Sequence, residues 1–350
     1  MKKIFLLILS VAVIASMTGC SVKKNQDIPN NIELQTSDKK TDDKSQKSTA
    51  YPITIKNFNS ESKEYEQTFD KMPEKVVSMH GITTQIIYEL GLEDKLIAAA
   101  LPDGKVTPEM EEKYKKLQTT FKGFPPEETV VGLQPDFILG IHPSFMGGRA
   151  TTTTWNEKGI KTYKISSTLE MRTMDNHLKN ISDIGKILGE DKRISEYVDN
   201  QRKQISQVSE AVKSKEQKPK VILLQKINDK YAVFGKNTLA GNVAESAGLE
   251  LVANTPAGSI GLEALIGMNP DVIIYSSYPG TDDNKTNEEK LAALKGETAL
   301  QSINAIKNNK VMVIDFADMS GTGANPVRAI TTYAKYVYPN LDWNKILSSK

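Results

Sequence analysis

The sequence predicts an α/β protein of two similar lobes, each a central sheet flanked by helices, joined by one long spine helix with a ligand cleft between the lobes. Three observations carry that expectation. The first is the stretch DKRISEYVDNQRKQISQVSEAVKSK, residues 191–215, where Ile194, Tyr197, Val198, Ile205, Val208 and Val212 recur at helical spacing and form an apolar stripe. Gly189 precedes it and Pro219 follows it. About 25 residues at roughly 1.5 Å each make a rod of about 40 Å, long enough to join two small domains. The second is KVVSMHGITTQIIYELGLEDKLIAAA, residues 75–100, which reads as strand, helix and strand. Parallel pairing of such a unit puts both strand ends on one edge. The third is a phrase that occurs twice. Glu128 and Glu263 each stand eight residues before the Asp of a Pro-Asp pair, Pro135-Asp136 and Pro270-Asp271, with apolar residues at matching offsets. A unit repeated on either side of a long helix argues for two similar lobes facing each other.

Along the chain, residues 1–19 read as an export signal, with Lys2 and Lys3 before an apolar run from Ile4 to Met17 that is too short for a comfortable membrane span. Residues 20–50 are polar and poor in aromatics, which suits a flexible tether behind Cys20. The first lobe occupies residues 51–174. ITIKNF and YEQTF alternate as a hairpin. Val76–Met79 and Leu96–Ala100 are strands around a helix from Thr83 to Leu90 that Gly91 stops. Pro125 and Pro126 open a helix whose first turn carries Glu127 and Glu128, suited to that end of the dipole. Pro135 ends it, Asp136–Ile141 is a strand, HPSFMGGRATTTT is a loop, and Gly159–Ile165 is a strand. Residues 175–217 are connecting helices, 175–188 and the spine. The second lobe, 218–350, has strands at Lys220–Lys226 and Lys230–Gly235, a helix at Leu239–Ala247 that Gly248 ends, and the second copy of the repeated phrase. A strand at Val311–Asp315, a Gly-rich loop and a helix from Pro326 close it.

Composition bounds the function. With 350 residues, 39% hydrophobic and 25% charged, the chain has room for two ordinary domains. A net charge of +2 gives no basic footprint, so no nucleic-acid partner is expected. Only five of the 45 cations are Arg. Cys20 is the one cysteine, which excludes an internal disulfide. No nucleophile elbow, P-loop or dinucleotide fingerprint occurs, so neither catalysis nor a cofactor is expected.

In open α/β sheets ligands bind beyond the carboxyl ends of the strands. The loops placed there are 78–83, 101–103 and 142–149 in the first lobe and 225–228, 276–278 and 316–322 in the second. They supply the candidate contacts His80, Gly81, Asp103, His142, Phe145 and Arg149, and then Gln225, Ser276, Tyr278, Phe316 and Met319. His80 and His142 either hydrogen-bond a neighbouring backbone group or ligate metal. His177 falls in the helix before the spine and reads as a solvated surface residue. Two cleft histidines fall short of the three or four convergent ligands that a bare divalent metal wants.

MTGC resembles the bacterial lipobox, with Met17 in place of the usual Leu, and implies lipid on Cys20 after cleavage before it. Together with VVSMHGITTQIIYELGL, the doubled phrase, the long helix and the ending AIKNNKVMVID…YP, residues 51–340 resemble the helical-spine substrate-binding proteins of ABC importers for iron–siderophore complexes, haem and cobalamin. The resemblance implies a monomeric lipoprotein held at the extracytoplasmic face of the cell membrane by its lipid anchor. It would bind an iron(III)–siderophore-type complex and deliver it to an ABC permease dimer with ATPase subunits. Glu128 and Glu263 would meet Arg clusters on the two permease halves. Arg149 and Arg328 are the guanidinium candidates, and so few Arg favour a neutral or mildly charged hydroxamate chelate over a catecholate or citrate complex. Phe145, Trp155, Tyr278 and Phe316 are the expected aromatic faces. A siderophore already fills iron's coordination sphere, so no protein–iron bond is expected. Haem and cobalamin remain the alternative cargoes, with His80, His142, Met79 or Tyr278 as axial ligands of haem. A surface lipoprotein without a transport role is a more distant alternative. A stiff spine implies only small lobe rotation on binding.

Overall fold

The alternating residues ITIKNF and EYEQTF fold as an antiparallel hairpin, β1 (Ile53–Phe58) and β2 (Glu64–Phe69), in register from Ile53↔Phe69 to Phe58↔Glu64. The computed structural model describes residues 50–102, 108–169, 172–215, 218–227, 230–254, 257–277 and 284–348. Cys20, with the signal and nearly all of the tether, lies outside them.

The first sheet follows the hairpin. Its elements are β3 (Val76–Ser78), α1 (Gly81–Glu89), β4 (Leu96–Ala100), α2 (Pro108–Lys115), β5 (Thr119–Phe121), α3 (Glu127–Gly132), β6 (Phe137–Gly140), α4 (Thr152–Glu157) and β7 (Lys161–Lys164). The strand order is β5-β4-β3-β6-β7, every pair parallel. Gly91, where the sequence placed the helix stop, takes a left-handed turn after α1 at φ +64°. The sequence did not signal α2 and β5. Their segment buries only Tyr114 and Phe121 on a strongly charged background, so hydrophobic periodicity is nearly silent there. The expected loop after β6 contains a short 3₁₀ turn at His142–Phe145 and then α4, capped by the Thr151 hydroxyl accepting from the Thr154 N–H at 3.1 Å.

Two helices follow, α5 (Met174–Ile187) and α6 (Asp191–Lys213). The apolar stripe of α6 is buried at Ile194, Val198, Val208 and Val212, as its spacing implied. It packs on α5, where Gly185 lets the helices approach: a Cβ there would lie 2.5 Å from the Ile194 Cβ. Gln201 interrupts the stripe yet is buried, because its side-chain oxygen accepts from the Val327 N–H at 3.4 Å.

The second sheet is built from β8 (Lys220–Ile227), β9 (Lys230–Val233), α7 (Leu239–Ser246), β10 (Glu250–Leu251), β11 (Gly258–Ile260), α8 (Leu262–Met268), β12 (Val272–Ser277), α9 (Asn287–Lys295), α10 (Asn304–Lys307) and β13 (Val311–Val313). The helices α11 (Phe316–Ser320), α12 (Pro326–Val337) and α13 (Trp343–Ser348) end the described chain. The order is β11-β9-β8-β12-β13, with β10 beside the start of β8. β8, β12 and β13 are parallel, but β9 is antiparallel to β8 and β11 to β9, so this sheet is mixed where the first is parallel. Residues 316–320, expected as a loop, form the single turn of α11.

The doubled phrase has one structural meaning in both sheets. Gln134 (φ 51°) and Asn269 (φ 38°) take the left-handed conformation directly before Pro135 and Pro270. The Asp that follows then clips the neighbouring parallel strand. Asp136 N–H donates to the Lys75 carbonyl at 3.1 Å, and its carboxylate accepts from the Glu74 and Lys75 N–H groups, each at 2.9 Å. Asp271 N–H donates to the Lys220 carbonyl at 2.8 Å, and its carboxylate accepts from the Lys220 N–H at 3.2 Å. One continuous apolar core, reaching from Ile55 to Trp343 through α1, α5, α6 and α12, unites one face of both sheets. A separate cluster covers the other face of each.

Candidate ligand-binding edges

The carboxyl ends of β3, β5, β6 and β7 bring one group of polar and aromatic side chains together. His80 follows β3 and caps α1: its Nδ1 accepts from the Ile82 N–H at 3.2 Å. Gly81 is a packing residue. A Cβ there would lie 2.4 Å from the Pro102 Cα, so glycine allows the loops after β3 and β4 to touch. The His80 ring lies 5.6 Å from the Phe124 ring, and the Arg149 guanidinium sits 4.2 Å above the other member of that stack, Phe124. Arg149 Nη1 also donates to the Met146 carbonyl at 3.1 Å and reaches the Pro143 carbonyl at 3.4 Å, which presets the fork. His142, after β6, meets Lys164 at the end of β7, with Nζ 3.2 Å from Nδ1. Lys164 is fully buried, and its ammonium also donates to the Asn59 carbonyl in the β1–β2 turn. Burial lowers the Lys164 pKa to about 8. Burial and the adjacent Lys164 charge both lower that of His142.

The corresponding edge of the second sheet carries Gln225 and Ser276, register partners on β8 and β12. Both are buried. Ser276 Oγ donates to the Ser277 carbonyl at 3.1 Å, and Gln225 Nε2 reaches the same carbonyl at 3.5 Å. Phe316 is half-buried with its ring 5.9 Å from that of Phe234.

Several expected contacts stand elsewhere. Phe145 and Met319 are both 0% exposed, and Trp155 is buried with Phe145 in the cluster behind the first sheet. Their apolar surface went into the core, where it is worth most. Phe145 and Met319 therefore support the loops from behind rather than line a cleft. Arg328 is not an open fork: it pairs with Asp318 through Nε at 2.9 Å and through Nη2, and lies 3.7 Å from Glu89. Asp103 and Tyr278 lie outside the described residues. Phe124, Lys164 and Phe234 joined these edges without being foreseen. Phe124 follows the unsignalled β5, and Lys164 reads as an ordinary strand residue.

His177 is the largest departure. Far from being solvated, it is 0% exposed on α5, with Nε2 2.7 Å from the Gly323 carbonyl and Nδ1 3.3 Å from the Ser167 hydroxyl. Burial lowers its pKa to about 4. It belongs to a latch on the segment before α12. There the Glu89 carboxylate accepts the Ala324 N–H, and Tyr197 donates to the Ala324 carbonyl at 3.0 Å. α1, α5 and α6 thus hold one segment of the second half.

Glu128 and Glu263 are exposed, each beside an exposed apolar residue of its own helix, Val131 on α3 and Leu262 on α8. A recess of about 480 Å³ lined by Lys218, Asp271, Lys310 and Tyr338 lies at the amino ends of β8 and β12, opposite the edge just described. Among the described residues no helix is long and apolar enough to cross a membrane.

Comparison with known proteins finds one family across most of this architecture. The family described as periplasmic binding protein matches residues 76–317. An ABC transporter substrate-binding lipoprotein of Bacillus subtilis, YvrC, is 23% identical over 307 residues, covering 87% of this chain and 91% of its own. Among solved structures, a periplasmic binding protein from Veillonella parvula superposes with a TM-score of 0.69 at 25% identity, over 83% of this chain and 92% of that one. An ABC-type Fe3+-hydroxamate transport protein from Saccharomonospora viridis superposes at 0.65 with 19% identity, over 82% of this chain and 99% of its own, which shows a shared fold.

Proposed function

Because the chain belongs to the periplasmic binding protein family, we propose that it is the extracytoplasmic receptor of an ABC importer and takes an iron(III)–siderophore-type complex between its two carboxyl edges. The observation that carries this reading is the His80–Phe124–Arg149 stack. It offers an aromatic face and a preset guanidinium at the strand ends, where an open α/β sheet receives its ligand. Arg149 has no carboxylate partner among the described residues, so its charge is available to an oxygen-rich complex. The half-buried Phe316 and Phe234 pair supplies a second apolar face on the other sheet. The Bacillus subtilis relative, itself a substrate-binding lipoprotein of an ABC transporter, supports the same role.

In this reading Cys20 carries the lipid that holds a monomeric receptor at the outer face of the cell membrane. Glu128 and Glu263 are the points at which the loaded receptor meets the permease dimer. Their equivalent places in a repeated helix–Pro-Asp–strand unit suit a partner with two similar halves.

Titration of the purified protein with a ferric trihydroxamate, haemin and cobalamin tests the cargo. Melting temperature, tryptophan fluorescence and the visible spectrum are the readouts. A saturating cargo at 100 times its Kd raises stability by about 2.7 kcal/mol. A shift with the hydroxamate alone is expected. A shift with haemin or cobalamin alone overturns the siderophore reading, and no shift with any of the three overturns the receptor role for this class of complex.

A further inference from the structure

At the amino ends of β8, β12 and β13 the chain gathers lysines around a hollow. Asp271 N–H donates to the Lys220 carbonyl at 2.8 Å and Ile273 N–H to the Lys310 carbonyl at 2.9 Å, which sets the three strand starts side by side. Lys218, Lys310, Tyr336 and Tyr338 line the recess of about 480 Å³ found there. α6 ends against the same place, because its Val212 and the Tyr338 hydroxyl both lie against Gly248. Lys215, Lys218, Lys220, Lys307 and Lys310 are exposed, and none has a carboxylate partner among the described residues. The acids on these strand starts are Glu250, the register partner of Lys220, and Asp271. Asp271 is already committed, accepting from the Lys220 N–H at 3.2 Å and from Asn304 Nδ2 at 3.5 Å.

Unpaired ammonium groups around a hollow call for an oxyanion, and lysine, a point charge without a planar fork, suits a phosphoryl group. Tyr336 adds a donor. Its ring is half-buried, its hydroxyl has no hydrogen-bond partner among the described residues, and burial raises its pKa, so it keeps its proton. Tyr338 spends its proton on the Gly248 carbonyl at 2.8 Å. Tyrosines with an apolar body and a wet tip suit the boundary between lipid and water. The place where the anchor segment joins the fold agrees. The Tyr51 hydroxyl donates to the Ile187 carbonyl at 2.8 Å and, with Met72, lies against Gly189. Met72 Sδ is 3.8 Å from the ammonium of Lys95, the residue before β4. The segment leading back to Cys20 therefore enters at strand amino ends of the first sheet, at the other end of α6 from the recess.

We propose that the recess receives phosphoryl headgroups of an anionic phospholipid surface, the membrane to which the receptor is anchored. The inference rests on the anchored-receptor reading above and gives that receptor a resting position. Lysine-rich strand starts of the second sheet lie against the lipid, and the carboxyl ends of its strands face away from it. The anchor segment and the recess then stand about 35 Å apart along the 23 residues of α6, at roughly 1.5 Å each. Contacts of this kind are screened by salt and reversible, so the receptor can leave the lipid to deliver its cargo.

The test is sedimentation of the mature chain from residue 20, carrying Cys20→Ser so that it takes no lipid, with vesicles of phosphatidylcholine alone or mixed with phosphatidylglycerol. Binding to the mixed vesicles only is expected, with its loss between about 0.05 M and about 0.5 M salt. Lys218→Gln with Lys310→Gln should weaken it about 30-fold, at about fivefold for each lysine. Tyr336→Phe should weaken it about fivefold through one lost hydrogen bond. Lys122→Gln with Lys230→Gln, exposed positions at strand carboxyl ends, should leave it unchanged. Undiminished binding by the recess pair, or an equal loss in the control pair, overturns the proposal. Displacement by soluble glycerol phosphate at the same phosphate concentration as the vesicles overturns it too, in favour of a small phosphate ester. Affinity for a ferric trihydroxamate should not change in any variant. A chain that holds the mixed vesicles through the recess lysines but takes no cargo upholds the recess and overturns the receptor reading alone.

Discussion

His177 makes the stability of this protein depend on pH in a window that can be worked out in advance. The ring is fully buried, accepts from Ser167, donates to Gly323 and has a folded-state pKa of about 4 against 6.5 in the unfolded chain. Between those two values the unfolded chain binds more protons at this site than the folded one, so stability falls as pH falls. Above pH 6.5 the contribution is constant. At about 1.4 kcal/mol per unit, the gap between 6.5 and about 4 is worth about 3 kcal/mol in full, and about 2 kcal/mol of it is lost by pH 5. His177→Gln keeps a donor for the Gly323 carbonyl but cannot titrate. Urea denaturation of both proteins at pH 7.5 and 5 isolates the effect, because every other titrating group cancels in the comparison. The stability difference between the parent and His177→Gln should move in favour of the glutamine variant by about 2 kcal/mol on acidification. A difference that stays constant within about 0.5 kcal/mol would show that the buried ring does not resist protonation, and the reasoning would fail.

Two further outcomes follow from other parts of the fold. Glu128→Ala combined with Glu263→Ala should abolish uptake by cells that rely on this receptor while leaving cargo affinity unchanged, since both carboxylates are exposed and neither is among the side chains gathered at the strand ends; normal uptake by the double variant would refute the docking role. Gly185→Ala should cost about 1–3 kcal/mol through overpacking against Ile194, 2.5 Å from the added carbon, whereas Gly267→Ala on α8, with nothing within 4 Å, should cost nothing in thermal melts.

The repeated phrase was readable because it rests on local chemistry. Pro135 and Pro270 end their helices wherever they sit, and an Asp after them is free to clip the next strand. Elements that bury a full apolar face were equally legible. The α6 stripe and the strands β4, β8 and β12 announced themselves through period and composition. α2, β5 and α4 were silent because each buries no more than two side chains. With β5 unseen, Phe124 could not be placed beside His80.

Sequence alone thus determined the α/β class, the order of the long elements, the long helix between two related units and the loops that follow the carboxyl ends of the strands. Each of these depends on hydrophobic period, on proline and glycine, or on strand direction, all of which are local. Tertiary structure decided which side chains at those edges remain available. Phe145 and Met319 went to the core, Arg328 went to Asp318 and Glu89, and Lys164 went to His142. His177 shows the limit most clearly. It occupies a polar-looking position on α5, and only the arrival of Gly323, 146 residues later, encloses it and supplies its partner. Burial and pairing are properties of what folds against a residue, so no local pattern records them.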